Sequence, residues 1–129
     1  MTAELGPREV AVLRSTAIGH LATLMPDGSP QVSPVWVDAQ DGLIVVNTAE
    51  GRLKLRNLRR DPRAALSIEE LDGAREALMV RGRVVEITED GAMEHMDHLA
   101  RRYDGKAWTP VEGQRRIVVR IQPDRVSWF

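Results

Sequence analysis

Between residues 45 and 62 the chain reads VVNTAEGRLKLRNLRRDP: an apolar run, a glycine, then five cations in nine residues, Arg52, Lys54, Arg56, Arg59 and Arg60. Cations at this density, at the start of a helix whose first amides have no intrahelical acceptor, suit an anion such as a phosphate. Gly51 lets the backbone come close to a ligand, and Arg52 and Lys54 bracket the free amides. On a helical wheel Leu55 and Leu58 share the face that would pack on the body of the protein. Arg52, Arg56, Arg59 and Arg60 occupy a neighbouring arc, and Lys54 and Asn57 lie on the opposite flank. Arg56, Arg59 and Arg60 also read as a solvated face paired with Asp61 or other nearby carboxylates. Two readings therefore stand, a solvated helix and a phosphate site, and the residue pattern alone does not choose.

Other constellations carry less. His95 and His98 in EHMDH fall on the outer face of a helix, are not a same-face i, i+4 pair and have no third ligand indicated, so they read as solvated and no metal site is expected. His20, among apolar neighbours, is either a satisfied barrel histidine or a groove residue. No elbow-type glycine motif supports a hydrolase, and no side chain stands out as a catalytic nucleophile or proton donor. The chain has no cysteine, which excludes disulfides, thiolate zinc sites and cysteine nucleophiles and fits a reducing cytoplasm. A net charge of -1 and 4% aromatic residues argue against nucleic acid as a partner. Only Lys54 and Lys106 are lysines among 18 basic residues, a bias expected of a GC-rich coding genome, so arginine count by itself decides nothing. The start, MTAELGPREV, lacks the features of a signal peptide, and no apolar run is long enough to span a bilayer, so a cytoplasmic protein without a membrane partner is expected.

The elements that must hold the basic segment follow from period and turn signals. Residues 1–129 are most simply one domain. Pro7 suits the first turn of a helix running to about Ser15, with Val10 and Leu13 inward. Residues 17–25, 31–37 and 43–48 read as three antiparallel strands in a meander, separated by PDGS and DAQDG. Pro62 ends the basic helix, and residues 63–68 and 77–88 are two more strands around Asp72-Gly73, with Gly82 marking a bend or bulge. Residues 89–103 form a helix whose stripe is Ala92, Met93, Met96, Leu99, Ala100 and Tyr103. A loop over 104–114 leads to a sixth strand at 116–121, and 123–129 adds an extended piece. About six antiparallel strands with few helices make a mainly β, α+β domain and favour a small closed or partly closed barrel.

The run VVNTAEGRLKLRNLRRDPRAAL, preceded by IGHLATLMPDGSPQVSPVWV and followed by LMVRGRVVEI, resembles the pyridoxamine 5'-phosphate oxidase-like superfamily of split β-barrel flavoproteins, and more narrowly its deazaflavin (coenzyme F-420) branch. The resemblance implies a homodimer of six-stranded antiparallel split β-barrels with flanking helices, its cofactor in a groove at the subunit interface. It places the cofactor phosphate near Gly51, Arg52 and Lys54, with Asn47 and Thr48 lining the groove beneath. Ser33, Pro34, Val35 and Trp36 would meet the ring, although Trp36 reads equally well as a core aromatic. FMN-using relatives carry Arg-x-Val-Leu-Leu-Lys on the second strand. The corresponding QVSPVWV has neither cation and so loses two charge-assisted contacts to an FMN phosphate. The implied activity is F-420-dependent hydride transfer to a small conjugated substrate. An FMN-binding oxidoreductase of the same fold and a non-catalytic cofactor-binding protein are the alternatives. The arginines beyond Arg52 would supply an attractive field for the acidic tail of F-420.

Overall fold

The computed structural model describes residues 2–73 and 75–129. Side chains of period two dictate its sheet: β1 (Gly19–Leu24) buries Leu21 and Thr23 and exposes His20, and β5 (Arg63–Glu69) buries Ala64, Leu66 and Ile68. With β2 (Pro30–Val35), β3 (Val37–Gln40), β4 (Leu43–Ala49), β6 (Ala77–Thr88) and β7 (Arg116–Trp128) they form one seven-stranded antiparallel sheet in the order β2-β1-β5-β6-β7-β4-β3. The outermost strands, β2 and β3, are consecutive in the chain and separated only by Trp36. The sheet must therefore curl until its ends approach, which makes a split barrel. Leu21, Ile44, Val46, Ile68, Leu78 and Val119 fill its interior, each at most 1% exposed. Burying a side chain of this size stabilises the fold by roughly 1.5–3 kcal/mol.

Three helices close the remaining faces. In α1 (Pro7–Leu13), Leu13 is fully buried, and Glu9 accepts hydrogen bonds from the Gly6 amide (2.8 Å) and Trp128 Nε1 (2.8 Å), tying the helix to the end of β7. In α2 (Leu53–Arg60), Leu55 and Leu58 face the core as the wheel requires. α3 (Ala92–Tyr103) lies over β4 and β7, where Ala92 packs on Val45 and Val118. That cover explains why β4 buries consecutive residues Ile44, Val45 and Val46 instead of alternating.

The structure corrects several expectations. Residues 17–25, 31–37 and 43–48 are not a meander: β1 and β2 form a hairpin, but β4 pairs with β3 and β7. The chain changes partner at Trp36, so residues 31–37 are split between two strands and the sheet has seven strands, not six. In DAQDG only Asp41 and Gly42 turn, both with positive φ, while Asp38 to Gln40 stay extended in β3. The single strand β7 unites 116–121 with the extended piece beyond it. A bulge at Gly82 was expected and is present: the β6–β7 register shifts between Arg81 and Gly82, and a Cβ at Gly82 would lie 2.2 Å from the Gln122 carbonyl oxygen. α3 starts at Ala92, not at 89. Met93 is 51% exposed and falls outside the buried stripe, which His95 occupies instead.

Candidate functional site

The split in the barrel comes directly from the strand register. β3 and β4 pair from Gln40↔Leu43 to Val37↔Val46. Continuing that ladder would set Trp36 against Asn47 and Val35 against Thr48, but β2 swings away to pair with β1, and those pairs do not form. The lip carrying Ser33, Pro34, Val35 and Trp36 and the lip carrying Asn47 and Thr48 thus flank the break in this ladder. Pro34, which has no amide proton, fits an edge strand. The chain leaves the second lip through Glu50 and Gly51, whose φ of +90° only glycine adopts freely, and enters α2 at Arg52.

Cations accumulate where that turn meets the sheet. Arg116 opens β7 directly opposite Ala49, and its guanidinium, in a residue only 9% exposed, is held by neutral groups: Asn47 Oδ1 (2.9 Å), Gln114 Oε1 (3.2 Å), Met96 Sδ (3.3 Å) and the Trp108 ring, 5.8 Å to its centroid. Lys54 is half-buried. Burial, then the charges of Arg52 and Arg116, lower its pKa, and burial with Arg52 lowers that of Arg116. Among the described residues no carboxylate pairs with Arg52, Lys54 or Arg116. The nearby acids are engaged elsewhere, Glu50 with Arg59 (2.6 Å) and Glu89 with Arg115 (2.9 Å). Three mutually repelling cations, two of them partly desolvated, form a site that favours an anion. No side-chain cap covers the N-terminus of α2, so its first amides remain available beside them.

The remaining cations of the helix behave differently. Arg56 donates to the Gly51 carbonyl (2.8 Å), propping the turn. Arg59 pairs with Glu50, and Arg60 donates to Asn57 Oδ1 (2.8 Å) and to the Leu24 carbonyl. Asp61 pairs with Arg63 (2.7 Å), not with the helix arginines. Asn57, expected with Lys54 on the flank opposite the arginine arc, is fully buried, and its amide donates to Thr23 Oγ1 (3.0 Å) on the inner face of β1. Arg116 was missed from the sequence. Only the pairing of β4 with β7 brings it to the basic turn, from 69 residues beyond Asn47.

On the other lip, Ser33 Oγ is buried without a hydrogen-bond partner, an unmet polar group in an apolar edge. Pro34 is exposed and Val35 is buried in the core. Trp36 is half-buried and stacks on Tyr103 with ring centroids 5.0 Å apart and planes 4° from parallel. The Tyr103 hydroxyl donates to the Ala17 carbonyl (2.7 Å) and accepts from the Val37 amide (3.2 Å), so the stacked pair is fixed to the strand junction. Thr48 is 5% exposed, and the Asn47 amide reaches under α3, donating to the Ala92 carbonyl (2.9 Å).

Beneath α3 lies a polar cluster that the sequence pattern did not disclose. His95, expected on a solvated face, is 8% exposed. Its Nδ1 meets Asn47 Nδ2 at 3.2 Å, whereas Nε2 is buried without a hydrogen-bond partner, 3.5 Å from Asp38 Oδ2. Asp38 is 2% exposed. Its burial opposes the charge, but His95, Arg102 (2.8 Å) and the Ala39 amide (2.9 Å) outweigh that and hold the carboxyl well below the usual range. His98 is exposed, as expected, with Nε2 3.9 Å from Asp38. His20 is exposed on the outer face of β1. No helix among the described residues is long and apolar enough to cross a membrane.

Comparison with known proteins places this architecture. Residues 5–128 match the family described as pyridoxamine 5'-phosphate oxidase. Among solved structures, the chain is similar to an F-420 reductase at 31% identity, over 91% of this chain and 94% of that one, with a TM-score of 0.81. A conserved hypothetical protein from Mycobacterium tuberculosis is 27% identical over 99% of this chain and 86% of its own, with a TM-score of 0.77. An FAD-binding protein from Mesorhizobium loti is 25% identical over 99% and 96%, with a TM-score of 0.69. The split between β2 and β4, the basic turn that closes it and a match across almost the entire chain lead to one conclusion: this protein belongs to the pyridoxamine 5'-phosphate oxidase family of split-barrel, oxidoreductase-type proteins.

Proposed function

We propose that the protein is a deazaflavin-dependent reductase that binds coenzyme F-420 in the split of the barrel and passes reducing equivalents to a small conjugated substrate. The observation that carries this reading is the unpaired cation cluster of Arg52, Lys54 and Arg116 at the closed end of the opening. A phosphodiester fits it: the charge is unneutralised, and the free amides at the start of α2 add donors. The orphaned Ser33 hydroxyl gives the other lip a polar contact for a ring edge. Trp36, held flat by Tyr103, offers an apolar face for stacking. When bound, a deazaflavin supplies two-electron reducing chemistry. The chain's own residues bind the phosphate, orient the ring and restrict water through the buried lips at Val35 and Thr48. Similarity to the F-420 reductase supports the choice of cofactor.

The reading includes a homodimer that completes the groove. It is supported by an outer face over β2, β1, β5 and β6 that leaves Val32 63% and Met79 38% exposed beside Ala22 and Ala65, around a concavity of about 620 Å³. A second reading, FMN or FAD in the same opening, draws on the FAD-binding relative. Fluorescence titration with F-420 and FMN side by side separates the two. Micromolar or tighter binding of F-420 with weak FMN binding is expected, and the reverse preference overturns the proposal.

A further inference from the structure

Resting on the reading of Arg52, Lys54 and Arg116 as a phosphate site, we propose that His95 is a positioning residue which, through Asn47, aims the Arg116 guanidinium at the ligand by neutral hydrogen bonds and so leaves its charge unspent. Arg116 Nε donates to Asn47 Oδ1 at 2.9 Å, while the NH₂ of the same amide donates to the Ala92 carbonyl at 2.9 Å. Those two contacts fix which end of the amide is oxygen. The NH₂ also faces His95 Nδ1 at 3.2 Å, so Nδ1 is the acceptor and the imidazole proton sits on Nε2, facing Asp38 Oδ2. Asp38 is in turn held by Arg102 at 2.8 Å. From His95 through Asn47 to Arg116 the donor and acceptor pattern is self-consistent; behind it stands Asp38, whose Oδ2 lies 3.5 Å from His95 Nε2 without a hydrogen bond. Its negative charge is spent on Arg102, far from the ligand end.

The chemistry of the arm is specific. A carboxylate at position 47 would grip Arg116 at least as firmly, yet would neutralise it. An amide holds the guanidinium without that loss, provided that something fixes the amide's orientation. Ala92 and His95 do so. If Nδ1 is removed, one of the two acceptors is lost, and a turned amide would present NH₂ to Arg116 Nε, donor against donor.

The test is calorimetric titration of the full chain with coenzyme F-420 and, separately, with inorganic phosphate. His95→Leu removes the acceptor and should weaken F-420 binding roughly tenfold, the scale of one lost charge-assisted contact. In His95→Asn the side-chain oxygen falls near the original Nδ1, and affinity should return to within about threefold of the parent. Asn47→Asp should keep the fold and lose affinity for both ligands. Equal losses in His95→Leu and His95→Asn, or an Asn47→Asp protein that binds as well as the parent, overturn the inference. Arg116→Gln and Lys54→Met guard the underlying reading. If these two leave binding unchanged, the phosphate site itself falls. If they abolish binding while His95→Leu does nothing, only the positioning role falls.

Discussion

Lys54→Met should make the ligand-free protein more stable while it weakens ligand binding. Lys54 is half-buried, its cationic neighbours are Arg52 and Arg116, and no carboxylate among the described residues answers them. Methionine keeps the aliphatic stem and removes the charge. Half of the side chain is solvated, so the screened range applies, about 0.2–1 kcal/mol for each like-charge neighbour. Two neighbours together with partial relief of desolvation give roughly 0.5–2 kcal/mol in favour of the variant. For a domain of this size, 1 kcal/mol moves Tm by about 3–6 °C. The same substitution deletes one charge-assisted contact to phosphate, costing about 1.5–3 kcal/mol of binding, or roughly 10- to 100-fold in Kd. Scanning calorimetry at low salt and at ~0.5 M salt, combined with F-420 titration, reads both effects, and added salt should narrow the stability gap. A variant less stable than its parent at low salt, or one that binds F-420 equally well, refutes the reasoning.

Other outcomes follow from the same groups. Because the pKa of Lys54 is lowered from 10.5, F-420 affinity should be full at neutral pH and decline as pH rises through the depressed value, with proton uptake on binding in alkaline buffers. Over that window the folded state binds fewer protons than the unfolded chain, so ligand-free stability should rise with pH; buffer-dependent binding heats and Tm against pH check the two signs. Asn57→Ala takes one hydrogen-bond partner each from Thr23 and Arg60 and should cost about 1–3 kcal/mol in urea unfolding, and Asn57→Leu should not restore it. Gly82→Ala drives a methyl into the Gln122 carbonyl and should cost at least about 1–3 kcal/mol, visible as a lower Tm with α2 unperturbed. Arg60→Ala, which removes contacts to Leu24 and Asn57 outside the cation cluster, should leave F-420 affinity near that of the parent while Arg52→Ala lowers it.

What could be read from the sequence was local. The register of Leu55 and Leu58, the bulge at Gly82 and the turn at Asp41-Gly42 follow from residue type and period, because each is decided within a few neighbours. What stayed hidden depended on partners far along the chain. Asn57 and His95 are polar residues in apolar slots, and each is met by a polar group from another strand: the Thr23 hydroxyl accepts from Asn57, and the Asn47 amide donates to His95. Trp36 continues the alternation of β2 without interruption, so nothing in the period signals that the hydrogen-bonding partner changes there. Arg116 looked like any strand-initial arginine until β7 paired with β4. Two of the three cluster cations, Arg52 and Lys54, were thus legible from the basic helix, and the buried member, Arg116, was not.

The strand order also constrains how the molecule is made. The hairpin β1–β2 and the pair β3–β4 arise early in the chain and end up at opposite edges of the sheet, and everything that joins them, β5, β6 and β7, is supplied by residues 63–128. While the first half is being synthesised it has two apolar hairpins and no scaffold to hold them. Loop closure across such separations is slow, and exposed strand edges are prone to mispairing. β7, which pairs with both β6 and β4, is the strand that completes both the barrel and the cation site.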